Sequence, residues 1–292
     1  MSETLSDGTA INLVRAGDPD AELTVVLVHS YAQDLRIWHK VLEILPRATE
    51  RPIQVLAYDH RGHGESGPAD EATATVERLG DDLAELVRLA VPRGRVVLTG
   101  HGMGGLVCMA LTARQPELFT ERVAGLVFLS TPAGRLAEAS ATLPQSVGRL
   151  VRDLEAILGS RLLDHVRNRI DKATTIGLRW LLLGDDPDPA DTALVAHMIS
   201  KHWPDTVALF LPALDRYARE VALTVAAGTP VLAVVGDRDR LVPAAHARAL
   251  AGSVQSGTAV VLPGVGHMLP LEGSAEIIPR MVGLVHAVLR AT

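Results

Sequence analysis

The sequence predicts an α/β protein: a mostly parallel, doubly wound sheet carrying an inserted helical cap. Three observations lead there. Short apolar runs alternate with longer helical stripes. The runs are continuous rather than polar/apolar alternations, which is how strands buried on both faces of a parallel sheet read. The alternation then stops between about Ala133 and Thr224, where helical patterns stand without a convincing strand.

The strand candidates, in order, are Thr24–His29 (TVVLVH), Ile53–Tyr58 (IQVLAY), Arg95–Thr99 (RVVLT), Val123–Leu129 (VAGLVFL), Pro230–Val235 (PVLAVV) and Thr258–Leu262 (TAVVL). Leu79, Leu83, Leu86 and Val87 make a helical stripe before the third of these. Ile277, Met281, Leu284 and Val288 make another near the C-terminus, where Pro279 leaves the start of the helix open. Strand and helix in alternation give a doubly wound sheet. The core is expected at 1–132 and 225–292, and the cap at 133–224. An insertion at the C-terminal edge of a parallel strand lies where ligands sit in such sheets. A length of 292 residues suits one α/β domain with an insertion.

Composition narrows the partners. Apolar residues make up 48% and aromatics only 3%, so the core rests on Leu, Val, Ala and Ile. The net charge of −6, with both signs interspersed, argues against nucleic acid as a partner. The apolar runs are too short to span a membrane. The N-terminal MSETLSDGTAINL lacks a basic segment followed by an apolar run, so a cytoplasmic protein is expected. The single cysteine, Cys108, excludes an internal disulfide and suits a reducing compartment. It falls inside a helix and reads as packed rather than reactive. No metal and no cofactor are expected; His165, His197 and His202 have no metal-ligand spacing.

The segment LTGHGMGG, Leu98–Gly105, carries the chemistry. It follows a strand, opens a helix and crowds its turn with glycine. Its letters satisfy G-x-G-x-x-G, but a dinucleotide fingerprint sits at the first strand–helix turn with an acid about 20 residues on. Here the turn follows the third predicted strand, and the next acid, Glu117, comes too early. No Lys-Ser/Thr follows, so it is no P-loop. Three further motifs stand at strand ends: DHRGHGES (Asp59–Ser66), GDRDRLVP (Gly236–Pro243) and GVGHMLPLE (Gly264–Glu272). Elbow, then acid, then histidine is the chain order of one class of hydrolytic triads.

With these motifs and VLVHSYAQD, the chain resembles the α/β-hydrolase superfamily over nearly its whole length. It is most similar to the capped, lipase- and esterase-like members found in actinobacteria. The resemblance implies that His267 is the catalytic histidine and Asp239 the acid that orients it, with Asp237 the competing acid. The backbone N–H groups of Met103 and Tyr31 match the two oxyanion donors. His29, His60, His63 and His101 match fold-holding positions.

Two residues depart from the pattern. Gly102 stands at the nucleophile position, where the family has serine. Ser30 stands where many relatives have glycine; it could supply a displaced hydroxyl, but its position in the chain is wrong for the elbow. Three readings follow. The first is an enzyme acting on a lipophilic ester, lactone or polyketide-like small molecule through a His267–Asp239 dyad and oxyanion hole, without a covalent serine. The second is a serine esterase, lipase or thioesterase inactivated by an engineered Ser-to-Gly change at 102. The third is a non-catalytic binding protein for a small apolar ligand. The apolar runs Arg179–Gly184 and Val207–Leu214 read as a roof over the elbow or, for most of their residues, as core packing. A homodimer through the cap stays open.

Overall fold

Eight strands form one sheet in the order β1-β2-β4-β3-β5-β6-β7-β8. They are β1 (Ser2–Thr4), β2 (Ala10–Gly17), β3 (Leu23–Val28), β4 (Gln54–Tyr58), β5 (Arg95–His101), β6 (Val123–Leu129), β7 (Val231–Gly236) and β8 (Gly257–Leu262). The structure, a computed structural model, describes residues 1–133, 179–202 and 228–291, with single positions at 177, 206, 209, 210, 213 and 226. From β4 to β8 every pairing is parallel; β1 with β2 and β2 with β4 are antiparallel.

The six predicted strands are β3 to β8. Those in the middle of the sheet are buried along their length, whereas the edge strand β8 exposes several of its residues. The side-chain period of two sends Val26 and Val28 of β3 into one core and Val25 and Leu27 into the other. The N-terminal pair β1 and β2 was not among the predicted strands. Its signal is the alternation that buries Ile11 and Leu13 of β2 and leaves Ala10, Asn12 and Val14 less buried.

Helices cover both faces. On one side lie α2 (Val76–Ala90), α3 (Met103–Arg114), the short α4 (Pro116–Arg122) and α6 (Ala244–Gly252). The Thr75 side chain accepts from Arg78 N–H and caps α2, and the predicted Leu79, Leu83, Leu86 and Val87 stripe is buried. Residues 103–112 of α3 are buried without a break, so this helix shows no polar face there. On the other side lie α1 (His39–Ala48), α5 (Pro189–His202), the single turn α7 (Leu269–Glu272) and α8 (Ser274–Arg290). Pro279 does not delay α8, which starts five residues earlier and carries the proline inside.

Most of the expected cap, 133–224, lies outside the described residues. Of the part that is described, α5 sends Val195 and Met198 into the core shared with α1 and α8. Lys40 Nζ bonds Asp191 Oδ2 at 2.6 Å and ties α5 to α1. Leu182 and Leu183 of the first apolar run are buried in that same core, and Phe210 of the second is buried against His63. These residues pack the body of the molecule.

Candidate active site

The candidate catalytic and oxyanion residues lie past the C-terminal ends of parallel strands. Ser30 and Tyr31 follow β3, Gly102 and Met103 follow β5, Asp237 and Asp239 follow β7, and His267 follows β8. Open α/β sheets bind their ligands at this edge.

The turn from β5 into α3 depends on glycine. Gly102 has φ +51° and ψ −114°, a conformation that a side chain makes costly. Two residues on, a Cβ at Gly104 would stand 2.1 Å from the Val28 carbonyl oxygen, so only glycine lets α3 start this close to β3. The Gly102 N–H donates to the Leu129 carbonyl at 2.9 Å and fixes the turn to the end of β6.

His267 and Asp239 meet. His267 Nδ1 lies 2.9 Å from Asp239 Oδ2. The other carboxylate oxygen, Oδ1, accepts from the Leu241 and Val242 N–H groups at 2.9 and 2.8 Å. Burial alone would raise the Asp239 pKa; the charge and hydrogen bond of His267 and the Val242 N–H outweigh it and hold the carboxyl below its usual value. The competing acid takes another part: Asp237 Oδ1 accepts from Gly264 N–H at 2.7 Å and pins the loop that leads to His267.

The far side of the His267 ring faces the elbow. A Cβ placed on Gly102 would stand 3.5 Å from His267 Nε2. The same Cβ would meet Ser30 Oγ at 2.2 Å. Ser30 is off the elbow in sequence, yet its hydroxyl enters the elbow's space, because β3 and β5 are parallel neighbours in register with Val28 beside Gly100. Its Oγ accepts from the Met103 N–H at 3.1 Å, and its own N–H donates to Gln33 Oε1 at 3.2 Å. The Met103 amide, matched to an oxyanion donor by resemblance, is thus engaged by Ser30. Tyr31 stands beside Ser30 and packs against the core, and burial pushes its phenol pKa up.

His29, His60 and His101 make hydrogen bonds that tie loops together. His60 N–H donates to His29 Nε2, and His60 Nε2 donates to the His29 carbonyl, each at 2.9 Å. His101 Nε2 donates to the His267 carbonyl at 2.9 Å and supports that loop from behind. Burial, and then the charge of His267, push the His101 pKa down to about 3, so its ring is neutral. Cys108 is buried in α3, and burial raises its thiol pKa. Among the described residues, no group of three or more His, Cys, Asp or Glu is placed to hold a metal. Among them too, no helix is long and apolar enough to cross a membrane.

A family model described as "alpha/beta hydrolase fold" matches residues 24–274. The chain belongs to the α/β hydrolase fold family. This α/β hydrolase is 29% identical over 255 residues to the monoacylglycerol lipase of Mycolicibacterium smegmatis, covering 86% of this chain and 82% of that one. It is 32% identical over 236 residues to lipase LipV of Mycobacterium tuberculosis, covering 78% and 76%. Among solved structures, a thermophilic esterase from Thermogutta terrifontis matches with TM-score 0.76 and 25% identity over 99% of this chain and 98% of that one.

Three residues that support this hydrolase site were not picked out from the sequence. Gln33 links Ser30 N–H, His101 Nδ1 and Met268 Sδ. The carboxylate of Glu272 accepts from the Gly184 and Met268 N–H groups. The Leu182 carbonyl accepts from the His267 N–H at 2.8 Å. Glu272 closes the GVGHMLPLE motif, so its signal was present; Gln33 and Leu182 carry none a single sequence could show.

Proposed function

We propose that this α/β hydrolase cleaves a lipophilic ester or lactone, polyketide-like lactones included, by attack of water without a covalent enzyme intermediate. His267 Nε2 takes a proton from the water as its oxygen adds to the carbonyl carbon. The negative charge that develops on the carbonyl oxygen falls to the Tyr31 N–H at the end of β3, since the Met103 N–H is already given to Ser30 Oγ. Collapse expels the alkoxide, which takes the proton back from His267. Asp239 keeps the imidazole in the tautomer with Nε2 unprotonated and steadies the imidazolium. The observation that carries this reading is the pairing of His267 Nδ1 with Asp239, which aims Nε2 at the space beside Gly102. The hydrolase names of the relatives support the reaction class.

The test is hydrolysis of medium-chain p-nitrophenyl esters and acyl lactones by the wild type and by His267→Ala. Loss of a positioned general base lowers kcat by about 10²- to 10⁴-fold. Undiminished turnover in His267→Ala overturns the reading, and ligand binding without any turnover in the wild type favours a binding protein.

One observation favours a second reading, a serine hydrolase whose residue 102 has been changed. A Cβ at 102 sits close enough to His267 Nε2 for an attached hydroxyl to reach it. A serine codon at position 102 of the encoding gene would select that reading over the first.

A further inference from the structure

The volume beside Gly102 is shared. A side chain at position 102 would require it, and Ser30 Oγ already reaches into it, 2.2 Å from where that Cβ would stand. The Ser30 hydroxyl is buried and anchored, since it accepts the Met103 N–H at 3.1 Å. That bond uses one of its two lone pairs and leaves one lone pair and its proton. His267 Nε2 looks into the same volume from the opposite loop. Ser30 Oγ and His267 Nε2 therefore meet the same volume beside Gly102 from separate strand ends.

We propose that Ser30 is a positioning residue: its hydroxyl, anchored by the Met103 N–H, holds the attacking water beside Gly102 for His267. The inference rests on the water-attack reading above. In this arrangement the water gives one proton to His267 Nε2 and points its other at the free lone pair of Ser30 Oγ. Its own lone pair is left facing the substrate carbonyl. The proton that His267 takes returns to the leaving alkoxide, so Ser30 ends each turnover unchanged. Ser30 thereby brings a hydroxyl beside position 102 from the neighbouring strand. It acts on water and forms no bond to the acyl group.

The experiment measures kcat and KM for an acyl lactone or p-nitrophenyl ester with Ser30→Ala, Ser30→Thr and His267→Ala, with thermal melting to confirm folding. Ser30→Ala should lower kcat by about 10²-fold while KM stays within about twofold, since misplacing a reacting group costs on that order. Ser30→Thr, which keeps the hydroxyl, should recover most of the loss. If Ser30→Ala keeps full kcat while His267→Ala loses it, the proposal falls and the water-attack reading stands. If both keep full kcat, the reading itself falls. A fluorophosphonate ester probe separates positioning from covalent catalysis: the wild type should stay unlabelled, and a label mapped to Ser30 would overturn the proposal.

A second comparison tests the shared volume without relying on wild-type turnover. Gly102→Ser should be labelled slowly, because its Cβ collides with Ser30 Oγ. The pair Gly102→Ser with Ser30→Gly should be labelled at position 102 at least about 10-fold faster, the non-additivity expected of residues in contact. Equal labelling of the single and the double variant would show that the two side chains do not contend for one space, and would overturn the proposal.

Discussion

Asp239 decides which nitrogen of His267 carries the proton. Its Oδ1 is fixed by two backbone N–H groups, so the only carboxylate atom left for the imidazole is Oδ2. Asp239→Asn should keep its amide oxygen on the Leu241 and Val242 N–H groups and turn its NH₂ toward His267. The ring must then accept at Nδ1, which leaves the proton on Nε2 and removes the base. On the proposed mechanism, kcat should fall by about 10⁴-fold, the effect of a wrong tautomer in such dyads. The backbone contacts survive, so the melting temperature should move little. Steady-state kinetics beside a thermal melt checks both parts, and an active asparagine variant would remove Asp239 from the mechanism. At this scale the chain order of elbow, acid and histidine singled out Gly102, Asp239 and His267, and the structure sets His267 Nδ1 2.9 Å from Asp239 with Nε2 toward Gly102. It could not show that Ser30 enters the elbow, because that depends on the register between β3 and β5.

Between elements, the His267 loop is held from outside its own strand. The segment after Trp180 accepts the His267 N–H through the Leu182 carbonyl and donates the Gly184 N–H to Glu272, whose other oxygen accepts from Met268. Glu272 is buried enough that its pKa is raised, so its acceptor role has no ready replacement from water. Glu272→Ala should leave N–H groups unpaired and destabilise the protein by about 1–3 kcal/mol. Urea unfolding would measure it, and hydrogen exchange should speed up at Gly184 and Met268. The Arg238–Asp185 pair in the same region is half exposed on both sides. Asp185→Ala should therefore change stability by less than about 1 kcal/mol. Comparable losses from the two substitutions would mean that the clamp does not run through Glu272. The sequence marked this stretch as an apolar run and left open whether it roofs the site. An apolar run marks Leu182 and Leu183 for burial but says nothing of a backbone carbonyl.

For the whole molecule, the continuous apolar runs of β3 to β8 made the sheet legible, since strands buried on both faces need no polar residues. The antiparallel pair β1–β2 was harder, because one half-buried strand beside a three-residue partner gives a weak period. Less legible still was a consequence of filling that sheet's edge with histidine. His29, His60, His63 and His101 are all buried, and burial holds each pKa down, to about 3 for His101. In the unfolded chain each would titrate near the ordinary histidine value of 6.5. Below that pH the unfolded state binds protons that the native state refuses, so stability falls as pH falls, and keeps falling until the native pKa values are reached. Each fully neutral histidine contributes a slope of about 1.4 kcal/mol per pH unit. The four together give about 5 kcal/mol per unit, a large share of the roughly 5–15 kcal/mol that holds a typical domain together. His202, less deeply buried but shifted the same way, adds to this. The Asp239 carboxyl, lowered in the fold, withdraws its contribution only below its unfolded value of 3.8, so it does not shape this window. Urea unfolding from about pH 7.5 down to about pH 5 should therefore show free energy level above pH 7 and falling below about 6.5, with net proton uptake on unfolding that the raised Asp59 and Glu272 carboxyls partly offset. A flat profile through this range would mean that the buried histidines are protonated in the native protein.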